Sequence, residues 1–198
     1  MKIYDISQEV FGCVVFPGDP EPQKEIVMRI EDGDMCNLSS ISMCSHNGTH
    51  VDAPYHFIKN GKTIEKLELK YFVGYAYVAE HHGIVSKEDA IHILEQARLL
   101  DTRCAKRILI KGKAEVSLEA AQVFATAGIY LIGNESQTVG PEDAPMEVHL
   151  TLLGANVALL EGIRLNEVSE GVYLLNAAPL NLGGADGAPC RAILMEIE

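Results

Sequence analysis

The chain has 198 residues, 47% of them hydrophobic and 22% charged, which fits one globular domain over residues 1–198. At that length about 70% of the unfolded surface can be buried, so no disulfide staples are needed. The net charge of -12 comes from 16 Lys+Arg against 28 Asp+Glu with no basic stripe, and no run of about 18 apolar residues occurs, which argues against nucleic acid and membrane as partners.

Along the chain, the opening residues carry acids at Asp5 and Glu9 where a signal peptide would need an apolar run. Five cysteines, Cys13, Cys36, Cys44, Cys104 and Cys190, show no CxxC spacing. Reduced thiols, several of them buried as small hydrophobes, and a cytoplasmic setting are expected. F-P-G-D-P at 16–20 reads as a turn, and Glu25–Ile30 and Asn37–Met43 as short strands. Phe72–Ala79 is aromatic and β-branched, hence a strand.

The period then changes. Ser86 and Asp89 have the form of a capping box, and Ile91, Leu94, Ala97 and Arg98 continue at helical spacing to about Leu100. Arg107–Ile110 is a strand. Ser117 opens a second helix with Leu118, Ala121, Phe124 and Ala125 on its face, and Gly128 ends it. Ile129–Ile132 is again a strand, Glu147–Leu153 a short helix, and Val157–Leu160 and Ala192–Ile197 the last two strands. Strands alternating with helices in the second half give an α/β fold with a mostly parallel core, to which the strand-rich front adds an antiparallel portion.

The segment H-N-G-T-H-V-D-A-P-Y-H at 46–56 carries the chemistry. His46, His50, Asp52 and His56 all fall on even positions, so an extended strand would point all four to one face, with Gly48 there leaving room for an ion. A helix would also bring His46 and His50 together, but Gly48 and Pro54 argue against it. Imidazoles plus a carboxylate suit Zn²⁺, with Mn²⁺ or Fe²⁺ as alternatives, and Asp52 has two oxygens with which to bridge a pair of ions. His149, at the start of the short helix, and Glu161, directly after an apolar strand, are candidates for further ligands. His81, His82 and His92 read as surface residues.

This segment resembles the H-x-G-T-H-x-D-x-P-x-H signature of the metal-dependent cyclase family, which includes bacterial kynurenine formamidase and isatin hydrolase. The resemblance extends to F-P-G-D-P at 16–20, V-H-L-T-L-L-G-A-N-V-A-L-L-E-G at 148–162 and P-L-N-L-G-G-A-D-G-A-P-C-R-A at 179–192. It implies a swivelling β/β/α domain, a homodimer or homotetramer, and metal ligands at His46, His50, Asp52, His149 and Glu161. His56 matches the catalytic histidine. Phe16 stands at a substrate-binding position where kynurenine formamidases usually carry tryptophan; Glu135, Thr138 and Leu150 also depart from the usual pattern.

The implied activity is hydrolysis of an aryl formamide such as N-formylkynurenine by water that one or two divalent ions activate, with His56 moving the proton. Two other readings remain open: ring opening of a cyclic amide, and a metal-binding protein without turnover. A purely structural zinc would instead bring a closed set of cysteines and histidines.

Overall fold

The computed structural model describes residues 1–196, so Ile197 of the expected last strand lies outside the described residues. In chain order the strands are β1 (Ile3–Asp5), β2 (Gln23–Met28), β3 (Leu38–Ser42), β4 (His50–Asp52), β5 (Val73–Glu80), β6 (Gly83–Val85), β7 (Arg107–Lys111), β8 (Ala114–Val116), β9 (Leu131–Asn134), β10 (Ala158–Glu161), β11 (Gly171–Asn176), β12 (Gly187–Pro189) and β13 (Ile193–Glu196). The helices are α1 (Lys87–Leu100), α2 (Leu118–Ala127) and α3 (Met146–Gly154).

One sheet organises the chain. Its strand order is β1-β13-β11-β5-β7-β9-β10-β4-β12. The four central strands β5, β7, β9 and β10 run parallel, and the strands on either side of them pair antiparallel. The fold is therefore α/β with a mixed sheet, as the alternation of strand and helix patterns predicts.

Each central strand is apolar through its middle, where both faces are covered, and carries its polar residues (Glu80, Arg107, Lys111, Asn134, Glu161) at the ends. Ile108, Ile110, Ile132 and Leu159 face a core that includes Phe124 of α2 and Leu152 of α3. Their neighbours Leu109, Leu131 and Leu160 face a second core with Val51, Val78 and Leu175.

Helix boundaries follow local chemistry. Ser86 and Asp89 form the reciprocal capping box, Ser117 Oγ accepts from the Ala120 amide, and Gly128 closes α2 at φ +63°. The faces differ by a residue from expectation: α1 buries Ala90, Ile93, Leu94 and Ala97 while Ile91 is exposed, and α2 buries Ala120, Ala121 and Phe124 while Leu118 is half-buried. Five strands begin one or two residues later than expected, at Leu38, Val73, Leu131, Ala158 and Ile193, because residue pairing and not hydrophobicity sets their start. β1, β6, β8, β11 and β12 have no counterpart among the expected elements, although Val172–Leu175 is an apolar run of strand type. Of the cysteines only Cys104 is buried; Cys36 is exposed and the other three are half-buried, fewer buried thiols than expected.

The pair β2–β3 stands apart from the main sheet, with every residue of both strands exposed.

Candidate metal centre

β4 is only three residues long, yet it lies between β10 and β12 in the sheet. The register sets His50 opposite Glu161 and Asp52 opposite Leu159 on one side, and Asp52 opposite Gly187 on the other. Val51 faces the core away from the helices, so the alternation of a strand turns His50 and Asp52 the other way. Glu161 follows Leu159 by two residues and shares its helix-side face. α3 covers that face and brings His149 to it, in the fourth position of the helix and not at its start. His50, Asp52, His149 and Glu161 are each 3% exposed or less.

His46 and His56 arrive differently, which corrects the expectation of one extended strand from 46 to 56. Residues 45–49 form a turn, and Pro54–His56 is a single 3₁₀ turn. Gly48 has φ +68°, the left-handed region that favours glycine, and a Cβ there would lie in ordinary contact with Cys13, so the glycine serves the turn and does not make room for an ion. Both turns fold back on β4, so the His46 and His56 rings lie with centroids 4.0 Å apart.

The atoms converge tightly. Asp52 Oδ1 lies 2.8 Å from His46 Nδ1 and 3.4 Å from His50 Nε2. Asp52 Oδ2 lies 3.7 Å from His149 Nε2 and 4.0 Å from His56 Nε2. Glu161 reaches His50 Nε2 with Oε2 at 3.4 Å and His149 Nε2 with Oε1 at 3.3 Å, and the Val139 amide donates to that Oε1 at 2.8 Å. Among the described residues, three sets of three donors each fit within 4.8 Å: His46, His50 and Asp52; Asp52, His149 and Glu161; and, less buried, His46, His56 and Asp186.

The far ring nitrogens are held as well. His50 Nδ1–H donates to the Gly48 carbonyl at 3.0 Å and His149 Nδ1–H to the Pro145 carbonyl at 2.8 Å. His46 Nε2 meets Asp186 Oδ2 at 2.9 Å. Each imidazole therefore turns one nitrogen to Asp52 or Glu161 and anchors the other on an acceptor behind it, the arrangement that fixes the tautomer of a metal ligand.

The electrostatics point the same way. Burial pushes His46 and His50 down, but hydrogen bonds to Asp186 and Asp52 lift His46 to about 11, and those to Asp52 and Glu161 lift His50 to about 10. Burial raises Asp52, yet His46 and His50 hold it well below the usual carboxylate range. Burial keeps His56 below the ordinary imidazole value; the Asp52 charge opposes that shift and the His46 charge reinforces it.

Among the described residues Asp52 Oδ2 is buried without a hydrogen-bond partner, an acceptor left for a cation. Nitrogen and carboxylate donors in this number fit a divalent metal.

Asp186 belongs to the cluster and was not among the expected site residues. It stands immediately before β12, accepts from Ser45 Oγ at 3.0 Å through Oδ1, and faces His56 Nδ1 at 3.3 Å through Oδ2. The signal for it was the Asp-Gly in the segment 179–192. Phe16 is half-buried on a loop that Asn47 ties to the His46 turn by donating to the Pro20 carbonyl at 3.1 Å. His82 and His92 are exposed and His81 half-buried.

The chain is similar to known proteins along most of its length. The Cyclase family model ("Putative cyclase") matches residues 4–141. A kynurenine formamidase from Salinibacter ruber is 34% identical, over 99% of this chain and 98% of its own. A solved structure described as a potential metal-dependent hydrolase with cyclase activity superposes with a TM-score of 0.83 at 29% identity, covering 100% of this chain and 98% of that one. An isatin hydrolase from Labrenzia aggregata shares the fold with a TM-score of 0.84 at 21% identity, covering 100% of this chain and 94% of that one. With the family model spanning more than half the chain and a relative this similar along nearly all of it, the protein belongs to the Cyclase family.

Proposed function

We propose that this chain is a metal-dependent hydrolase of carbon–nitrogen bonds that cleaves an aryl formamide of the N-formylkynurenine type. The observation that carries the reading is the buried convergence of His50, Asp52, His149 and Glu161 with His46, around an Asp52 oxygen that has no hydrogen-bond partner among the described residues. The curated relatives named kynurenine formamidase support the substrate class.

His46, His50 and Asp52 would hold one ion, and Asp52, His149 and Glu161 a second. A divalent ion there supplies a Lewis acid that polarises the amide carbonyl and lowers the pKa of water from 15.7 toward about 7. Zinc suits the mixed nitrogen and oxygen donors, with manganese as the alternative.

His56 does the proton work. Its side chain is 27% exposed, so substrate can reach it, and its Nε2 faces the cluster at 4.0 Å from Asp52 Oδ2. That nitrogen takes a proton from the attacking water and returns it to the leaving amine nitrogen. Phe57 packs edge-on to the His56 ring at 4.6 Å between centroids and limits its rotation. Phe16, on the loop tied to the His46 turn, would offer its ring to the aryl group.

The same reading takes the protein as a cytoplasmic homodimer or homotetramer. The β2–β3 ribbon supports assembly, since Ile26, Val27, Met28, Leu38 and Ile41 are all exposed on it and an isolated two-stranded ribbon is marginal in water. Among the described residues, no helix is long and apolar enough to cross a membrane.

Metal analysis of the purified protein, alongside an absorbance assay of N-formylkynurenine hydrolysis before and after chelation, tests the proposal. Stoichiometric metal with turnover that chelation abolishes and zinc or manganese restores is the expected result. Metal with ring opening of a cyclic amide, and none of the formamide, would move the substrate class to the isatin type. Metal with no turnover of either would favour a binding protein.

A further inference from the structure

We infer that Asp186 is the positioning residue that sets the tautomer of His56 and ties it to the metal ligand His46. The inference rests on the reading of His56 as the proton-transfer group. Asp186 Oδ2 sits 2.9 Å from His46 Nε2 and 3.3 Å from His56 Nδ1, so one carboxylate oxygen meets both rings. An ionised carboxylate only accepts hydrogen bonds, hence both ring nitrogens facing it carry hydrogen. For His56 this places the proton on Nδ1 and leaves the Nε2 lone pair turned to the cluster, the form able to take a proton from water. The opposite tautomer would set an N–H against Asp52 and leave no base. The same logic underlies the carboxylate that orients the imidazole in hydrolases with a catalytic triad.

Three contacts fix the carboxylate for this task. Ser45 Oγ donates to Asp186 Oδ1 at 3.0 Å. The Ala53 amide donates to the Asp186 carbonyl at 2.9 Å, which joins the residue to the end of β4. Gly187 pairs with Asp52 across the strands, so the backbone next to Asp186 moves with the bridging carboxylate. The stacking of the His46 and His56 rings at 4.0 Å keeps both nitrogens on the one oxygen. The His56 contact, at 3.3 Å, is an ion-pair approach and not a formed hydrogen bond; contacts of this kind tighten when the reacting complex assembles.

The test uses zinc-loaded full-length protein labelled with ¹⁵N-histidine, with the His56 signals assigned through His56→Gln. Wild-type protein is expected to show His56 protonated at Nδ1 and bare at Nε2. Asp186→Asn keeps the shape but presents an amide, and it is expected to shift His56 toward the Nε2–H form. In that variant kcat should fall about 10–100-fold, with KM and zinc content within about twofold of wild type. Ser45→Ala, a milder change, should lower kcat by several-fold with zinc unchanged.

A wild-type His56 bare at Nδ1, or an Asp186→Asn variant that keeps the wild-type tautomer and kcat, overturns the inference. Zinc loss in step with the loss of kcat also overturns it, because Asp186 would then act through His46 alone. Undiminished turnover in His56→Gln would instead remove the reading of His56 on which the inference rests.

Discussion

The candidate centre has two unlike poles. The inner pole, His50, Asp52, Glu161 and His149, comes from two paired strands and a helix and is almost fully buried. The outer pole, His46, His56 and Asp186, comes from turns and from the residue before β12, and its side chains are part-exposed, 39% for Asp186. The inner groups are placed by sheet register and cannot move without the sheet. The outer groups are placed by short connections and by hydrogen bonds to one another. Rigid elements hold what must stay fixed, while turn-borne groups stand where substrate arrives.

Asp52 belongs to both poles, because Oδ1 faces His46 and His50 while Oδ2 faces His149 and His56. Asp52→Ala should therefore have the largest effect: metal lost and turnover down roughly 10⁴-fold, since several kcal/mol of transition-state stabilisation goes with the ion. Full metal retention, read by elemental analysis, would mean that the poles are held independently. His56→Ala should lower kcat about 10²–10³-fold with metal content kept, because the change touches the outer pole alone. If metal leaves together with activity, His56 belongs among the ligands and the division between poles fails.

Gly187→Ala probes how far the outer pole leans on the sheet. A Cβ at that position would meet His46 Cε1 at 2.8 Å and the Val51 carbonyl at 2.8 Å, so the ring or the strand must shift. Metal affinity is expected to fall about 10–100-fold, as for other displaced supports of a ligand. Affinity equal to wild type in a metal-buffered titration would show that His46 swings freely.

How much of this could be read in the sequence differs between the poles. His50 and Asp52 are two apart on a real strand, so period-two reasoning held for them. It failed for His46 and His56: Gly48 at positive φ and the turn beginning at Pro54, set against a helix when the sequence was read, interrupt a strand as well. Helix ends at Ser86, Ser117 and Gly128 were legible because caps are local chemistry. His149 and Glu161 stood out through the resemblance and not through spacing. Asp186 lies 140 residues from His46, and the pairing of β12 with β4 brings the two together. No window along the chain contains that pairing, and the same holds for β4 between β10 and β12.

Protons stand in for a cation at both poles when none is bound. His46 and His50 then hold extra protons, with values lifted to about 11 and about 10. Groups whose values rise on folding stabilise the fold fully below their unfolded value of about 6.5 and lose that contribution as pH climbs through the folded values. Chelated protein should thus lose thermal stability, by several degrees, between neutral pH and pH ~10. Zinc-loaded protein should lose less, because metal ligation has already displaced those protons. Parallel melting curves for the two forms across that range would sink this account of the ion-free cluster.

The smallest expected effect lies outside both poles. α1 packs on α2, α2 packs on α3, and α3 carries His149, so a path of contacts leads from Ser86 to the inner pole. Ser86→Ala removes the side chain that accepts from the Asp89 amide and should cost about 1 kcal/mol of stability. His149 is anchored by the Pro145 carbonyl and Glu161, neither of which touches α1 through that cap. Denaturant unfolding should therefore register the loss while metal affinity and kcat stay at wild-type values. A fall in metal affinity with this variant would show that the inner pole draws its order from the helical layer as a whole, and its rigidity could then no longer be credited to the sheet.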